Sequence, residues 1–403
     1  MLRRPALSSL LVNAVLVLAS LLLSFVVAEA AYRVYLYHLI SDQLLQLVQK
    51  NMQASALSRF DPETGYSYKP NASYTDFEYF KDQFHINQYG FMANDLDPAP
   101  YPMQKPESEY RIAVLGDSFT NGYQNYVRWP DLLQDHLNRS AQWRERVGRK
   151  STRVLNFGMD GTGIVQWPKV YQARASRFEP DLVIVNFITD DIHRRFVYRG
   201  RQSADDPDIR RFLRQNVLNA LPWYGLRSEM VAEIAAELGR ADRRRLTATA
   251  AYERYTTTID HAAAIRDSIA ALEQLRCLNP NLIVLHAPQL EELQVRRDVP
   301  QRYPGDPLHL VGLETEFLAA AKERRIEVVQ MADRNLLPGD PLRTAALYNL
   351  PLDSHNSDYG VALYAQWVFK YLLSWGAAHN DQPIGATSCR GATTLSDRQE
   401  ISP

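Results

Sequence analysis

Five short apolar runs, Ile112–Leu115, Val154–Phe157, Leu182–Phe187, Leu282–Leu285 and Ile326–Val329, recur along the 403-residue chain. Each is too apolar to leave one face in water. The segments between them, Trp129–Leu137, Val165–Phe178, Ala262–Leu275 and Leu308–Arg325, carry helical periodicity. Strands with no polar face, separated by helices, need cover on both sides. The pattern therefore predicts an α/β domain with a central parallel sheet between helix layers. A closing amphipathic helix is expected from about Tyr359 to Trp375, with Leu363, Trp367, Val368, Tyr371 and Leu372 on one side. These elements bound one domain over residues 111–375.

The flanks read differently. Arg3 and Arg4 precede an uncharged apolar run from Leu7 to Ala28. About 22 helical residues rise about 33 Å, enough to cross the hydrocarbon core of a bilayer. The run exceeds the usual apolar region of a cleaved signal peptide, so residues 1–35 are expected to be an uncleaved signal anchor. Ala28-Glu29-Ala30 offers a cleavage site for the alternative, a secreted form. Arg3 and Arg4 place the remainder outside an inner membrane, in the periplasm of a bacterium, by the positive-inside rule. Residues 36–110 are expected to form a stalk helix to about residue 60 and then an irregular extension rich in Pro, Tyr, Asp and Asn. A helix-rich insertion at about 193–260 stands where a lid or substrate wall would be. The polar tail, 376–403, is expected to be disordered.

The net charge of −1 supplies no positive field for a nucleic-acid partner. Arg243-Arg244-Arg245 reads as a solvated helix face. Two cysteines, Cys277 and Cys389, support neither a metal site nor a disulfide framework. Whether they pair is left open.

In open parallel sheets ligands bind at the carboxyl ends of the strands. The runs here end in Gly116-Asp117-Ser118, Gly158-Met159-Asp160-Gly161, Thr189-Asp190-Asp191 and His286-Ala287-Pro288, and Asp353 and His355 precede the last helix. These are the parts of an acyl-transfer site. A serine needs a base for its proton, a histidine serves near neutral pH, and a carboxylate fixes the histidine tautomer. Backbone N–H groups at Ser118 and Gly158 are candidate oxyanion donors. Ser118 also reads as a simple helix N-cap. His286 competes as base, without an acidic residue beside it in sequence. Asp117, Asp160, Asp190 and Asp191 offer the alternative of a hard-cation site.

"GDSFTNG", "NFGMDGTG" and "DSHNSDYG", in that order on the strand ends, resemble the SGNH/GDSL hydrolase family over about residues 111–375. "HINQYGFMANDL" resembles a segment preceding the core in membrane-anchored bacterial members. The resemblance implies a flavodoxin-like three-layer α/β/α sandwich, with Ser118 as nucleophile, His355 as base and Asp353 as its orienting carboxylate. It also implies an oxyanion hole from the N–H groups of Ser118 and Gly158 and a third donor at position 190, and neither metal nor organic cofactor. At position 190 the family's asparagine is replaced by Asp190, whose ionised carboxylate would repel an oxyanion; Asp190 held protonated, Thr189 and Asn186 are the alternative donors. The expected function is an extracytoplasmic serine esterase acting on O-acetylated glycan or lipid esters. An O-acyltransferase on cell-envelope polysaccharide, and a catalytically weak carbohydrate-binding or assembly protein, are the alternatives.

Overall fold

The computed structural model describes residues 12–32, 34–35, 57–76, 82–122, 125–194, 261–290, 292–293, 307–330, 346–349 and 355–379. The expected stalk helix up to residue 56, nearly all of the insertion, Asp353, Cys389 and the tail from residue 380 lie outside the described residues. Cys277 is exposed on its helix.

Helix α1, Val12–Tyr32, is long and apolar enough to cross a membrane. It belongs to a different unit from the sheet domain. The second unit begins with two antiparallel hairpins, β1 (Ser58–Asp61) with β2 (Gly65–Tyr68) and β3 (Ser73–Asp76) with β4 (Asp82–His85). There follow β5 (Glu109–Gly116), α2 (Ser118–Asn121), α3 (Trp129–Arg139), α4 (Ala141–Val147), β6 (Ser151–Asn156), α5 (Trp167–Ala173) and β7 (Leu182–Phe187). The chain continues through α6 (His261–Leu278), β8 (Leu282–His286), α7 (Pro307–Glu323), β9 (Val328–Gln330) and α8 (Asp358–His379).

The five central strands pair in the order β6-β5-β7-β8-β9, all parallel. Taken in order of appearance this is 2-1-3-4-5, the flavodoxin-like order, with its switch point between the first and third strands. Successive side chains of a strand face opposite ways. Ile112, Val114, Val154, Leu182, Ile184, Ile283 and Leu285 accordingly join one core with Trp129, Leu133 and Leu137 of α3 and Tyr364, Val368 and Leu372 of α8. Ala113, Leu115, Val183 and Val185 are fully buried on the other face, which α5, α6 and α7 cover. Phe187 meets Phe317 of α7 there, with ring centroids 5.1 Å apart.

The structure departs from expectation in the extension. Residues 58–60, expected as the end of a stalk helix, are strand, and the irregular stretch after them contains both hairpins. Ser58 and Phe60 are buried while Arg59 is exposed, the period-2 pattern of a strand. The first hairpin is tied to the sheet domain. Tyr66 donates to Asp160 O at 2.9 Å, and Asp61 pairs with Arg174 at 2.5 Å. The helix expected over Val165–Phe178 is broken into the 3₁₀ turns Ile164–Gln166 and Ala175–Phe178 on either side of α5, whose first turn holds Pro168.

Candidate active site

Strand β5 delivers the chain to Ser118 through a cap made by its neighbour. Asp117 is the N-cap of α2, its Oδ1 accepting Phe119 N–H at 2.9 Å, so Ser118 is the first helical residue rather than the cap. That frees the serine hydroxyl. His355 Nε2 lies 2.8 Å from Ser118 Oγ, and the ring of Phe119 lies against the imidazole at 4.8 Å. Ser118 is 9% exposed. A serine donating to Nε2 requires the imidazole proton on Nδ1. Asp353, the expected acceptor there, lies outside the described residues.

The loop carrying His355 is fixed by asparagines. Asn349 N–H donates to His355 O at 2.9 Å, and the Asn349 carboxamide donates to Asn356 O at 2.9 Å. Asn125, from the loop after α2, donates to the same Asn356 carbonyl at 2.8 Å. The segments bearing Ser118 and His355, 237 residues apart in sequence, are thereby held in one geometry.

The expected oxyanion donors fare unequally. Ser118 N–H stands at the first helical position, where no intrahelical acceptor exists. Gly158 N–H, read from the sequence as a second donor, instead gives its hydrogen to Asn156 Oδ1 at 2.9 Å. Asn156 Nδ2 in turn holds Thr120 O at 2.9 Å, so a side chain two residues away satisfies the amide. Glycine at 158 is required by contact: a Cβ there would stand 2.5 Å from Asn121 N.

Asp190 is half-buried, and its peptide N–H donates to Gln289 Oε1 at 3.0 Å while its Oδ2 accepts from Gln289 Nε2 at 2.9 Å. The position expected to donate therefore accepts. Both substitutes already have partners. Asn186 donates to Thr120 Oγ1 at 2.9 Å and accepts from Tyr364, and Thr189 Oγ1 faces His286 Nε2 at 3.1 Å.

The aspartates offered as a cation site have separate partners. Asp117 and Asp191 share Arg194, Asp190 pairs with Gln289, and Asp160 accepts from Asn121. Among the described residues no group of three or more His, Cys, Asp or Glu side chains is placed to hold a metal ion. His286, isolated from acids in sequence, is flanked by two in the fold: Glu292 Oε2 at 3.6 Å from Nε2 and Glu314 Oε1 at 3.3 Å from Nδ1. Burial works against the charge of Glu292. His286, the Thr189 hydroxyl and the Gln289 amide outweigh it and hold the carboxyl below the usual range.

Sequence reasoning missed Arg194, Gln289, Asn156 and Asn125. Gln289 follows the strand end His286-Ala-Pro by one residue, and Arg194 stands three residues beyond Asp191, the spacing of a helical ion pair. Those were the signals available.

No curated protein matches the chain. Similar solved structures include a lipase/acylhydrolase from Enterococcus faecalis, at 16% identity over 66% of this chain and 96% of that chain, with a TM-score of 0.36. A member of the lipolytic G-D-S-L family from Veillonella parvula DSM 2008 has 14% identity over 65% of this chain and 97% of that chain, with a TM-score of 0.32. A catalytic mutant of an acetylxylan esterase from Geobacillus stearothermophilus has 13% identity over 65% of this chain and 93% of that chain, with a TM-score of 0.35. Residues 112–282, from β5 through the first residue of β8, match the family model for GDSL-like lipase/acylhydrolase. That match takes in β5, β6 and β7 with the segments between them, and over these residues the chain is similar to the GDSL-like lipase/acylhydrolase family.

Proposed function

We propose that this chain is a serine esterase in which Ser118 is the nucleophile and His355 the general base. The observation that carries the reading is the 2.8 Å approach of His355 Nε2 to Ser118 Oγ at the carboxyl ends of the strands. As Ser118 Oγ attacks an ester carbonyl carbon, its proton passes to Nε2. Collapse of the tetrahedral intermediate expels the alcohol, which takes that proton, and leaves an acyl-serine. Water, deprotonated by the same imidazole, then releases the acid. Asp353 is assigned to Nδ1, where a carboxylate stabilises the imidazolium.

The Ser118 amide, at the positive end of a helix turn, meets the developing oxyanion. Gly158 contributes only by sharing its N–H with substrate or releasing Asn156. Asp190 is not a donor in this reading. The substrate class is an acylated glycan or a lipid ester of the cell envelope. Helix α1 anchors the protein in the inner membrane, with the catalytic domain outside. A sugar hydroxyl replacing water would make the same acyl-enzyme an O-acyltransferase. The engaged Gly158 amide and the Asp190 carboxylate favour a second reading, a catalytically weak carbohydrate-binding or assembly protein on the same fold.

Incubation of the full-length chain, in detergent, with a fluorophosphonate probe separates the two. Covalent labelling that Ser118→Ala abolishes is expected. A folded wild-type protein that takes no label would overturn the esterase reading. With labelling in hand, turnover of p-nitrophenyl acetate with and without glycan acceptors divides hydrolysis from transfer.

A further inference from the structure

We propose that Arg194 is a positioning residue for Ser118, holding the Asp117 carboxylate away from the serine proton so that His355 alone receives it. The proposal rests on the reading of Ser118 as nucleophile. Two groups compete for the Ser118 hydroxyl: His355 Nε2 at 2.8 Å and Asp117 Oδ2 at 3.5 Å. A carboxylate accepts hydrogen bonds more strongly than a neutral imidazole. A free Asp117 Oδ2 one residue from the nucleophile would therefore capture the proton in an arrangement that leads nowhere. In the structure that oxygen is occupied, since Arg194 Nη1 donates to it at 2.7 Å. The other Asp117 oxygen is engaged as the helix cap.

The same Arg194 nitrogen donates to Asp191 Oδ1 at 2.6 Å, while Asp191 Oδ2 accepts Ile188 N–H at 3.0 Å. Both carboxylates are fully buried. Burial and then the charge of Asp117 push Asp191 well above the usual carboxylate range, against the pull of Arg194 and the Ile188 amide. One cation thus bridges two buried acids, and the turn at the end of β7 is clamped to the turn at the end of β5. The loop after β6 fixes where Arg194 sits. A Cβ on Gly163 would lie 2.4 Å from Arg194 O and 2.6 Å from Asp191 O, a contact only glycine accepts.

A bland role exists beside this one: Arg194 could serve only to neutralise buried charge. The double variant Arg194→Met/Asp191→Asn distinguishes the two, because it removes the cation together with one of the two buried acids that it bridges. If charge balance were everything, it would recover both stability and reactivity. If Arg194 restrains Asp117, stability returns in part but Ser118 stays slow.

The test measures melting temperature and fluorophosphonate labelling rate for the full-length wild type, Arg194→Met, Arg194→Lys and the double variant. Arg194→Met is expected to label about 10- to 100-fold more slowly, the size of a small misplacement at a reacting group. It should lower kcat for p-nitrophenyl acetate and leave KM unchanged. Arg194→Lys should recover most of the rate. The double variant should melt closer to the wild type than Arg194→Met does, yet remain as slow as Arg194→Met. A double variant labelling within threefold of the wild type overturns the proposal. Should that protein not fold, Arg194→Gln replaces it: labelling equal to Arg194→Lys overturns the proposal, and markedly slower labelling supports it. A wild type that takes no label overturns this inference along with the nucleophile assignment, and is recognised before any variant is compared.

Discussion

Two histidines stand at the carboxyl edge of the sheet, and their surroundings assign them different work. His355 is half-buried, on a loop pinned by Asn125 and Asn349, with one ring nitrogen on Ser118 Oγ. His286 ends β8 at 1% exposure, between Glu292 and Glu314, with Nε2 toward Thr189. A general base must reach the proton it takes and must exchange that proton with an incoming or leaving group. His355 meets the first condition directly. His286 is enclosed between two buried acids and favours the charged form of Glu292, which is the environment of a structural ion cluster. What separates the two is access to Ser118, and imidazole chemistry alone does not.

The largest effect expected from this comparison is a reversal of phenotype between the same substitution at the two sites. His355→Gln should lower the probe-labelling rate by about 10²- to 10⁴-fold, the usual contribution of a general base. Its unfolding midpoint should barely move. His286→Gln should do the opposite, losing about 3 kcal/mol by urea denaturation because buried glutamates lose their partner. Labelling of its folded fraction should stay within about tenfold of the wild type, since the lesion is remote from the proton in flight. If His286→Gln silences the protein while His355→Gln spares it, the comparison is broken and the base has been misassigned.

The two environments are linked, which yields a finer test. Gln289 N–H donates to Glu292 Oε2 at 3.0 Å, and the Gln289 carboxamide grips Asp190 at both its peptide N–H and its carboxylate. The His286 cluster therefore sets the orientation of Asp190. Asp190→Asn keeps an acceptor for Gln289 Nε2 and removes the negative charge. Turnover of p-nitrophenyl acetate should rise about tenfold, a fraction of what one oxyanion donor contributes. An unchanged or lower rate would mean that Asp190 does not face the developing charge.

The strands of the sheet domain were legible because full burial on both faces leaves an unbroken apolar run, as in Leu182–Phe187. The pairing of Ser118 with His355 was legible because both lie where a chain leaves or enters regular structure. The hairpins before β5 were not. Their short strands are interleaved with Pro, Asp and Asn, and the turn signals hid the alternation of Ser58, Arg59 and Phe60. Arg194 was out of reach for another reason. Its meaning depends on Asp117, 77 residues away, and that juxtaposition is made only by the register of β5 against β7. Gly158 shows the converse. Its identity was legible, but the capture of its amide by Asn156 depends on a side-chain rotamer that a sequence does not encode locally.

A third buried acid tests the same lesson at lower amplitude. Glu292 stays ionised despite burial because several groups address it. Asp131, in the first turn of α3, is equally enclosed, but its cation is 3.6 Å away: Arg128 is turned toward Asp95. Burial first, then the Asp95 charge, push the Asp131 carboxyl up to about 7, against the opposing pull of Arg128. The folded protein thus binds this proton more tightly than the unfolded chain, where an aspartate titrates near ~4. Stability from this group is complete below that pH and is lost as pH rises through about 7, after which the loss levels off. Asp131→Asn has no such proton to lose. Between pH 5 and pH 8 the wild type should therefore lose about 2–4 kcal/mol relative to the variant in urea unfolding, a range capped by the size of the shift. A difference independent of pH would show that an arginine at 3.6 Å keeps a buried carboxylate charged as well as direct contact does. Partner distance would then no longer explain why the Glu292 and Asp131 carboxyls are shifted in opposite directions.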